Sequence, residues 1–235
     1  MLNIALIVAG GSGTRTGNVV PKQFITVNEI PIIIYTLLNI QKISVIDKIV
    51  VSVSKEWTAF VKSYAKQYNI DKLSDIIEAG DTRHQTISQA IHYLTCEYSA
   101  DSKIVIIDSN RPLIPSKVVE QSIDISRSGE CTVALSQCFD TMYTSSNGIT
   151  VDGQINRNIL YGGQSPECAI LGDLKKVYEF ANTNSLEDVT AALFMACFKT
   201  VRVVEGSSKS FKITTKDDLD LFKALITVKE NKYLE

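Results

Sequence analysis

At 235 residues, with 45% hydrophobic side chains and a formal net charge of -2, the chain can bury one good core and carries no overall basic field for nucleic acid or a membrane surface. Its longest apolar run, IPIIIYTLL, falls far short of the roughly 20 residues that cross a bilayer, and MLNIALIVAGG lacks the positive n-region and cleavage site of a signal peptide. Five widely spaced cysteines, with no C-x-x-C pair, argue against a disulfide framework or zinc site and predict small core thiols in a cytoplasmic protein.

The first strand-like run, residues 3–9, ends in GGSGTRTGNVVPKQF. A glycine-rich turn after a strand suits phosphate, because glycine accepts unusual backbone angles and lets a ligand approach closely. Two familiar phosphate templates fail on spacing: Thr16 occupies the third glycine position of the dinucleotide fingerprint, and no GKS or GKT completes a Walker loop. Instead the glycines lead into a pair of cations, Arg15 and Lys22, fit to stabilise negative charge developing on a triphosphate. A helix is predicted over 31–42, a strand over 47–54, a helix over 56–68 and a strand over 75–80. The latter ends in GDTRHQT, with Gly80 and Asp81 at the strand end and Thr86 one turn into a helix over 83–97. These groups can read the edge of a base, or Asp81 or Thr82 can simply cap the helix. His84 and His92 read as solvated helix residues, and Trp57 as packing or surface.

The strand at 103–108 ends in IDSNRP. There Asp108 is placed to hold Mg²⁺ and Arg111 to pair with a phosphate, with a structural Asp–Arg pair as the alternative. A helix over 116–127 and a strand over 131–137 come next. Residues 139–166 show no helical period but carry turn signals at SSNG and VDG, which predicts a projecting hairpin that a partner chain covers. Helices over 172–182 and 187–197, a strand over 200–206 and a helix over 216–229 complete the chain. The alternation predicts a single α/β domain over 1–235, with a doubly wound, mostly parallel sheet and its chemistry just after residues 9, 80 and 108.

Five motifs, in order, resemble one family over essentially the whole chain: AGGSGTR…PKQF, GDTRHQT, DSNRP, DTM…NR..LY.GQSP and SFKITTKDDL. They are similar to the cytidylyltransferases that act on 2-C-methyl-D-erythritol 4-phosphate and on D-ribitol 5-phosphate. The resemblance implies a Rossmann-like nucleotidyltransferase fold that forms a homodimer through the hairpin arm. It implies that Ala9, Gly10, Gly11 and Gly13 wrap CTP, that Gly80, Asp81 and Thr86 read cytosine, and that Arg15, Lys22 and Lys212 stabilise the transition state at the α-phosphate. Asp108 is the implied Mg²⁺ carboxylate. Arg111 and Ser165, with Thr141 and Arg157 from the partner's arm, are implied to hold the acceptor polyol phosphate, and Asp188 matches the acidic position of the family's TDD segment.

The chain departs from the family pattern at Thr16, at Ile107 (histidine in HDA.RP), at Glu167 (QTPQ has become QSPE) and at Ser210-Phe211-Lys212. GGSGTR and NR..LY.GQ lean towards the ribitol-phosphate branch and thus towards CDP-ribitol for cell-surface polymer synthesis. The methylerythritol enzyme and a nucleotide-binding partner protein without catalysis are the alternatives.

Overall fold

The computed structural model describes residues 1–11, 20–197 and 199–230. In chain order, β1 (Asn3–Val8) leads through the small ribbon of β2 (Thr26–Val27) and β3 (Ile30–Pro31) into α1 (Ile32–Gln41). Next come β4 (Lys48–Val53), α2 (Thr58–Gln67), β5 (Leu73–Glu78), α3 (Arg83–Glu97), β6 (Lys103–Asp108), α4 (Ser116–Ile125) and β7 (Glu130–Gln137). The remainder is β8 (Met142–Thr144), β9 (Gly153–Ile155), β10 (Tyr161–Ile170), α5 (Leu171–Thr183), α6 (Thr190–Ala196), β11 (Thr200–Glu205) and α7 (Lys216–Glu230). No helix among the described residues is long and apolar enough to cross a membrane.

Seven strands form one sheet in the order β11-β7-β10-β6-β1-β4-β5. The α/β doubly wound, mostly parallel architecture expected from the sequence is present. Its parallel strands are buried on both faces: Ile4 and Leu6 enter one core with Ile91, Leu94 and Leu174, while Ala5 and Ile7 enter the other with Leu37, Val61 and Val119. Because strand side chains alternate between faces, two cores require a continuous apolar run rather than an alternating one. Burial of each large side chain on these strands contributes roughly 1.5–3 kcal/mol. The strand ends are therefore rigid mounts for the polar loops.

β10 was not legible as a sheet strand. Its sequence, YGGQSPECAI, has two glycines and a proline, yet it runs antiparallel between β6 and β7. Pairing with β7 breaks register between Gln164 and Glu167, and the interruption accommodates Pro166, which has no N–H to donate. The predicted 139–166 hairpin is correspondingly shorter. Its paired part is the β8–β9 ribbon, Met142↔Ile155 to Thr144↔Gly153, and from Tyr161 onward the chain rejoins the main sheet.

Candidate active site

The sheet order reverses beside β1: the chain winds outward from it to β4 and β5 on one side and resumes at β6 on the other. In open α/β sheets ligands bind at such a switch point, beyond the carboxyl ends of the strands. Here that end carries two adjoining constellations.

The first is built by close backbone approach. A Cβ on Gly10 would lie 2.5 Å from Ala79 Cβ and 3.0 Å from Thr86 Oγ1, and one on Gly80 would lie 2.6 Å from Gln85 Cβ. Both positions therefore need glycine, and the loops after β1 and β5 meet at the start of α3. Gln23, two residues after Pro21, donates from Nε2 to the carbonyls of Ala9 at 2.7 Å and Gly11 at 2.9 Å, which ties PKQF to the base of the glycine loop. Phe24 then stacks on Trp57 with ring centroids 3.9 Å apart, so Trp57 is a packing residue. Thr86 Oγ1 donates to the Gly80 carbonyl at 3.1 Å. Thr82 is the helix cap: its hydroxyl accepts the Gln85 N–H at 3.1 Å, while Gln85 Oε1 accepts from the N–H groups of Asp81 and Thr82. Ala9, Gly10, Gly11, Gly80, Asp81 and Thr86 thus converge, whereas Gly13 and Arg15 lie outside the described residues.

The second constellation surrounds Asp108. Asn110 and Ile213 exchange two hydrogen bonds, Asn110 Nδ2 to the Ile213 carbonyl at 2.8 Å and the Ile213 N–H to the Asn110 carbonyl at 3.0 Å. Arg111 Nη1 adds a third link, to the Ser210 carbonyl at 2.5 Å. These contacts lock SFKIT against DSNRP and bring Lys212 Nζ to 3.1 Å from Asp108 Oδ2, which also accepts from Arg111 Nε at 3.1 Å. Lys22 Nζ donates to the Thr214 carbonyl on the same segment. From the other side Arg83 Nε stands 3.7 Å from Asp108 Oδ1, and an Arg83 guanidinium nitrogen, Nη2, donates to Glu167 Oε2 at 3.2 Å. Ser165, carried by β10, accepts the Asp108 N–H on its hydroxyl at 3.1 Å.

Burial opposes ionisation of Asp108, but Lys212, Arg83 and Arg111 outweigh it and hold the carboxyl well below the ordinary carboxylate range. Arg83 is shifted the other way: burial works against its charge, and Asp108 and Glu167 more than compensate, raising it. Both shifts favour the charged forms of Asp108 and Arg83. Among the described residues no group of three or more His, Cys, Asp or Glu is arranged around a metal position. A Mg²⁺ ion fits Asp108 in a different mode, because Mg²⁺ often takes one carboxylate and draws its other ligands from substrate phosphates and water. Asp108 Oδ2 accepts one hydrogen bond, from Arg111 Nε, and faces the Lys212 ammonium at 3.1 Å, whereas Oδ1 accepts none among the described residues.

Thr141 and Arg157 do not join this cluster within one chain. They line a separate cavity of about 560 Å³ on the ribbon with Gln154, Ile155, Asn156 and Asn158, and Arg157 Nη1 donates to the Phe139 carbonyl at 2.5 Å. Asp188 is exposed ahead of α6 and its carboxylate accepts the neighbouring Val189 N–H at 2.7 Å. Ile107 is fully buried in the apolar core, so the missing histidine removes no group from around Asp108. His84 overturns the solvated expectation: it is buried, its Nε2 is 2.9 Å from Asn182 Oδ1, and its ring lies on Tyr178 at 5.1 Å. Cys131 and Cys168 match the core-thiol expectation, the latter pushed up to about 12 by burial, whereas Cys96 is exposed and Cys138 and Cys197 are only half-buried, so the expectation fails for those three.

Three site residues were missed: Gln23, Arg83 and Glu167. Arg83 carried a signal, as a cation beside a strand end already singled out. Glu167 was noticed only as a departure from a pattern.

The profile of the 2-C-methyl-D-erythritol 4-phosphate cytidylyltransferase (IspD) family matches residues 3–228. A ribitol-5-phosphate cytidylyltransferase of Lacticaseibacillus paracasei is 31% identical over 230 residues, covering 96% of this chain and 98% of the relative. One from Vibrio parahaemolyticus serotype O3:K6 is 30% identical over 233 residues, covering 98% of each. Among solved structures, a 4-diphosphocytidyl-2C-methyl-D-erythritol synthase superposes with a TM-score of 0.81 at 21% identity, over 96% of this chain and 98% of that one, a likeness of fold.

Proposed function

The chain belongs to the 2-C-methyl-D-erythritol 4-phosphate cytidylyltransferase family and is a CTP-dependent nucleotidyltransferase, and from that premise we propose that it transfers CMP from CTP to D-ribitol 5-phosphate. The products are CDP-ribitol and pyrophosphate. The observation that carries the transfer reading is the knot of three cations around the buried Asp108, next to a glycine-built loop at the switch point of the sheet. The choice of ribitol rests on the two named relatives.

In the proposed reaction the acceptor phosphate attacks the α-phosphorus of CTP in line. A phosphate monoester has its second pKa near 6, so it arrives largely as a dianion and needs no strong base. The protein's part is to position two anions against each other and offset the charge that builds between them. Lys22 and Lys212, both held on the 212–214 segment, are assigned to the α-phosphate with Arg15, while Gly80, Asp81 and Thr86 bind the base. Mg²⁺, when bound, supplies charge neutralisation among the triphosphate oxygens, with Asp108 as its protein ligand. Arg111 and Ser165, assigned to the acceptor phosphate, also fix Asp108 from inside the chain. Thr141 and Arg157, remote from that cluster in one chain, hold the acceptor from a second copy's arm.

Purified protein with CTP, Mg²⁺ and a panel of polyol phosphates tests this by pyrophosphate release. Turnover with D-ribitol 5-phosphate is expected. Turnover with methylerythritol 4-phosphate alone would overturn the acceptor, and none with any acceptor would overturn the activity.

A further inference from the structure

Glu167 is 5% exposed and has a donor on each carboxylate oxygen: the Ala191 N–H on Oε1 at 2.8 Å and Arg83 Nη2 on Oε2 at 3.2 Å. An ionised carboxylate only accepts, so two facing donors suit it fully. A glutamine here could turn its oxygen to one donor and would meet the other with its own NH₂. The pocket around residue 167 is shaped for a negative charge.

Arg83 stands between two carboxylates. It is hydrogen-bonded to Glu167, while its Nε remains 3.7 Å from Asp108 Oδ1, beyond hydrogen-bond reach. Asp108 Oδ2 is treated differently, with Arg111 and Lys212 both at 3.1 Å. The charges also matter as a sum. Asp108 and Glu167 offset two of the three cations Arg83, Arg111 and Lys212, and removing the Glu167 charge would leave two of them uncompensated beside Asp108.

We propose that Glu167 is a positioning residue: it holds Arg83 away from Asp108 and so keeps Asp108 Oδ1 open for the divalent cation carried in with a nucleoside triphosphate. Arg83 is thereby an adjustable neighbour of the cation position rather than a ligand-binding arm. Without the Glu167 charge, the guanidinium moves onto Oδ1, caps it with a hydrogen bond, and adds repulsion towards the incoming cation. This deepens the functional reading above and rests on it for the identity of the nucleotide.

Two measurements test the proposal without any acceptor present, so failure of turnover with D-ribitol 5-phosphate would overturn the functional reading and leave these results standing. In a crystal structure of nucleotide-free Glu167→Gln, Arg83 Nε closes to about 3 Å from Asp108 Oδ1, a hydrogen-bond separation. An unchanged Arg83 overturns the proposal. In the second, Mn²⁺ is titrated into the enzyme–CTP complex and followed by water-proton relaxation. Glu167→Gln is expected to raise half-saturating Mn²⁺ about 10–100-fold, the usual effect of losing an outer partner of a metal ligand. The double variant Arg83→Leu/Glu167→Gln is expected to recover most of that loss, since no guanidinium remains to cap Oδ1. Arg83→Leu alone, which keeps Glu167, is expected to bind Mn²⁺ at least as tightly as the unaltered protein and serves if Glu167→Gln does not fold. Equal weakness of the double and single variants, or weakened binding in Arg83→Leu, would overturn it.

Discussion

At the carboxyl end of β6, Asp108 and Glu167 are nearly buried and each is bound by several donors of its own chain. On the β8–β9 ribbon the situation is reversed: Phe139, Ile149 and Ile159 are 78, 88 and 76% exposed, and the local polar groups bond mostly to one another. A three-pair ribbon is marginal by itself in water, and exposed apolar residues of this density mark a contact surface. The difference teaches a division of labour. Under the proposed function, charge for phosphoryl chemistry is mounted on the sheet, while the residues proposed to bind the acceptor sit on an appendage proposed to be completed by a second copy of the chain.

The largest expected effect lies on the sheet side of this contrast. Lys22→Ala or Lys212→Ala is expected to lower kcat about 10²–10³-fold, the typical loss for one preorganised charge at a transition state. Steady-state kinetics with varied acceptor would show KM changing far less than kcat, and an unchanged kcat would remove that lysine from its role. On the ribbon, Arg157→Ala is expected to act the opposite way, raising the acceptor KM about 10–150-fold while kcat holds, as suits a charge-assisted contact worth about 1.5–3 kcal/mol. Mixing Arg157→Ala with Lys212→Ala sharpens the comparison. If arms cross between copies, the mixture, assayed at acceptor far below the raised Arg157→Ala KM, regains activity above that of either variant alone, and no regain would place Arg157 with its own chain's site.

A smaller effect concerns the interface. Ile149→Asp with Ile159→Asp, at positions exposed in one chain, is expected to shift the protein from dimer to monomer in analytical ultracentrifugation without lowering its melting temperature. A melting temperature that falls as for a core change would break the contrast, because the ribbon would then be part of the fold.

The smallest effect is at the start of α7, where the carboxylate of Asp218 accepts the N–H groups of Thr214 and Thr215 and the Thr214 hydroxyl. Burial raises the Asp218 pKa, but these hydrogen bonds outweigh it and bring the group down to about 2. Since the folded value lies below the unfolded one of about 3.9, the contribution is fully present above the unfolded value and lost as pH falls through about 2. Asp218→Asn is therefore expected to cost about 1 kcal/mol at neutral pH, the size of one helix cap, and nothing near the acid limit. Denaturant unfolding across pH would show the two curves converging, and a constant gap would refute the assignment.

The sequence by itself determined the parallel core, the strand-end positions of Gly10, Gly80 and Asp108, and the presence of cations beside those strand ends. Those features are local: a strand buried on both faces must be continuously apolar, a close backbone approach must be glycine, and a polar loop after such a strand faces the ligand side. Only the tertiary structure decided that β10 enters the sheet antiparallel and delivers Ser165 and Glu167 to the end of β6. It also decided that the segment around Lys212 is pinned to Asn110 and Arg111, and that Ile107 belongs to the core. These depend on which distant segments share one sheet edge and which donors find which acceptors, and no periodicity along the chain encodes that. Glu167 is the clearest case: in sequence it is one altered letter, and in space it is the charge that sets where Arg83 stands.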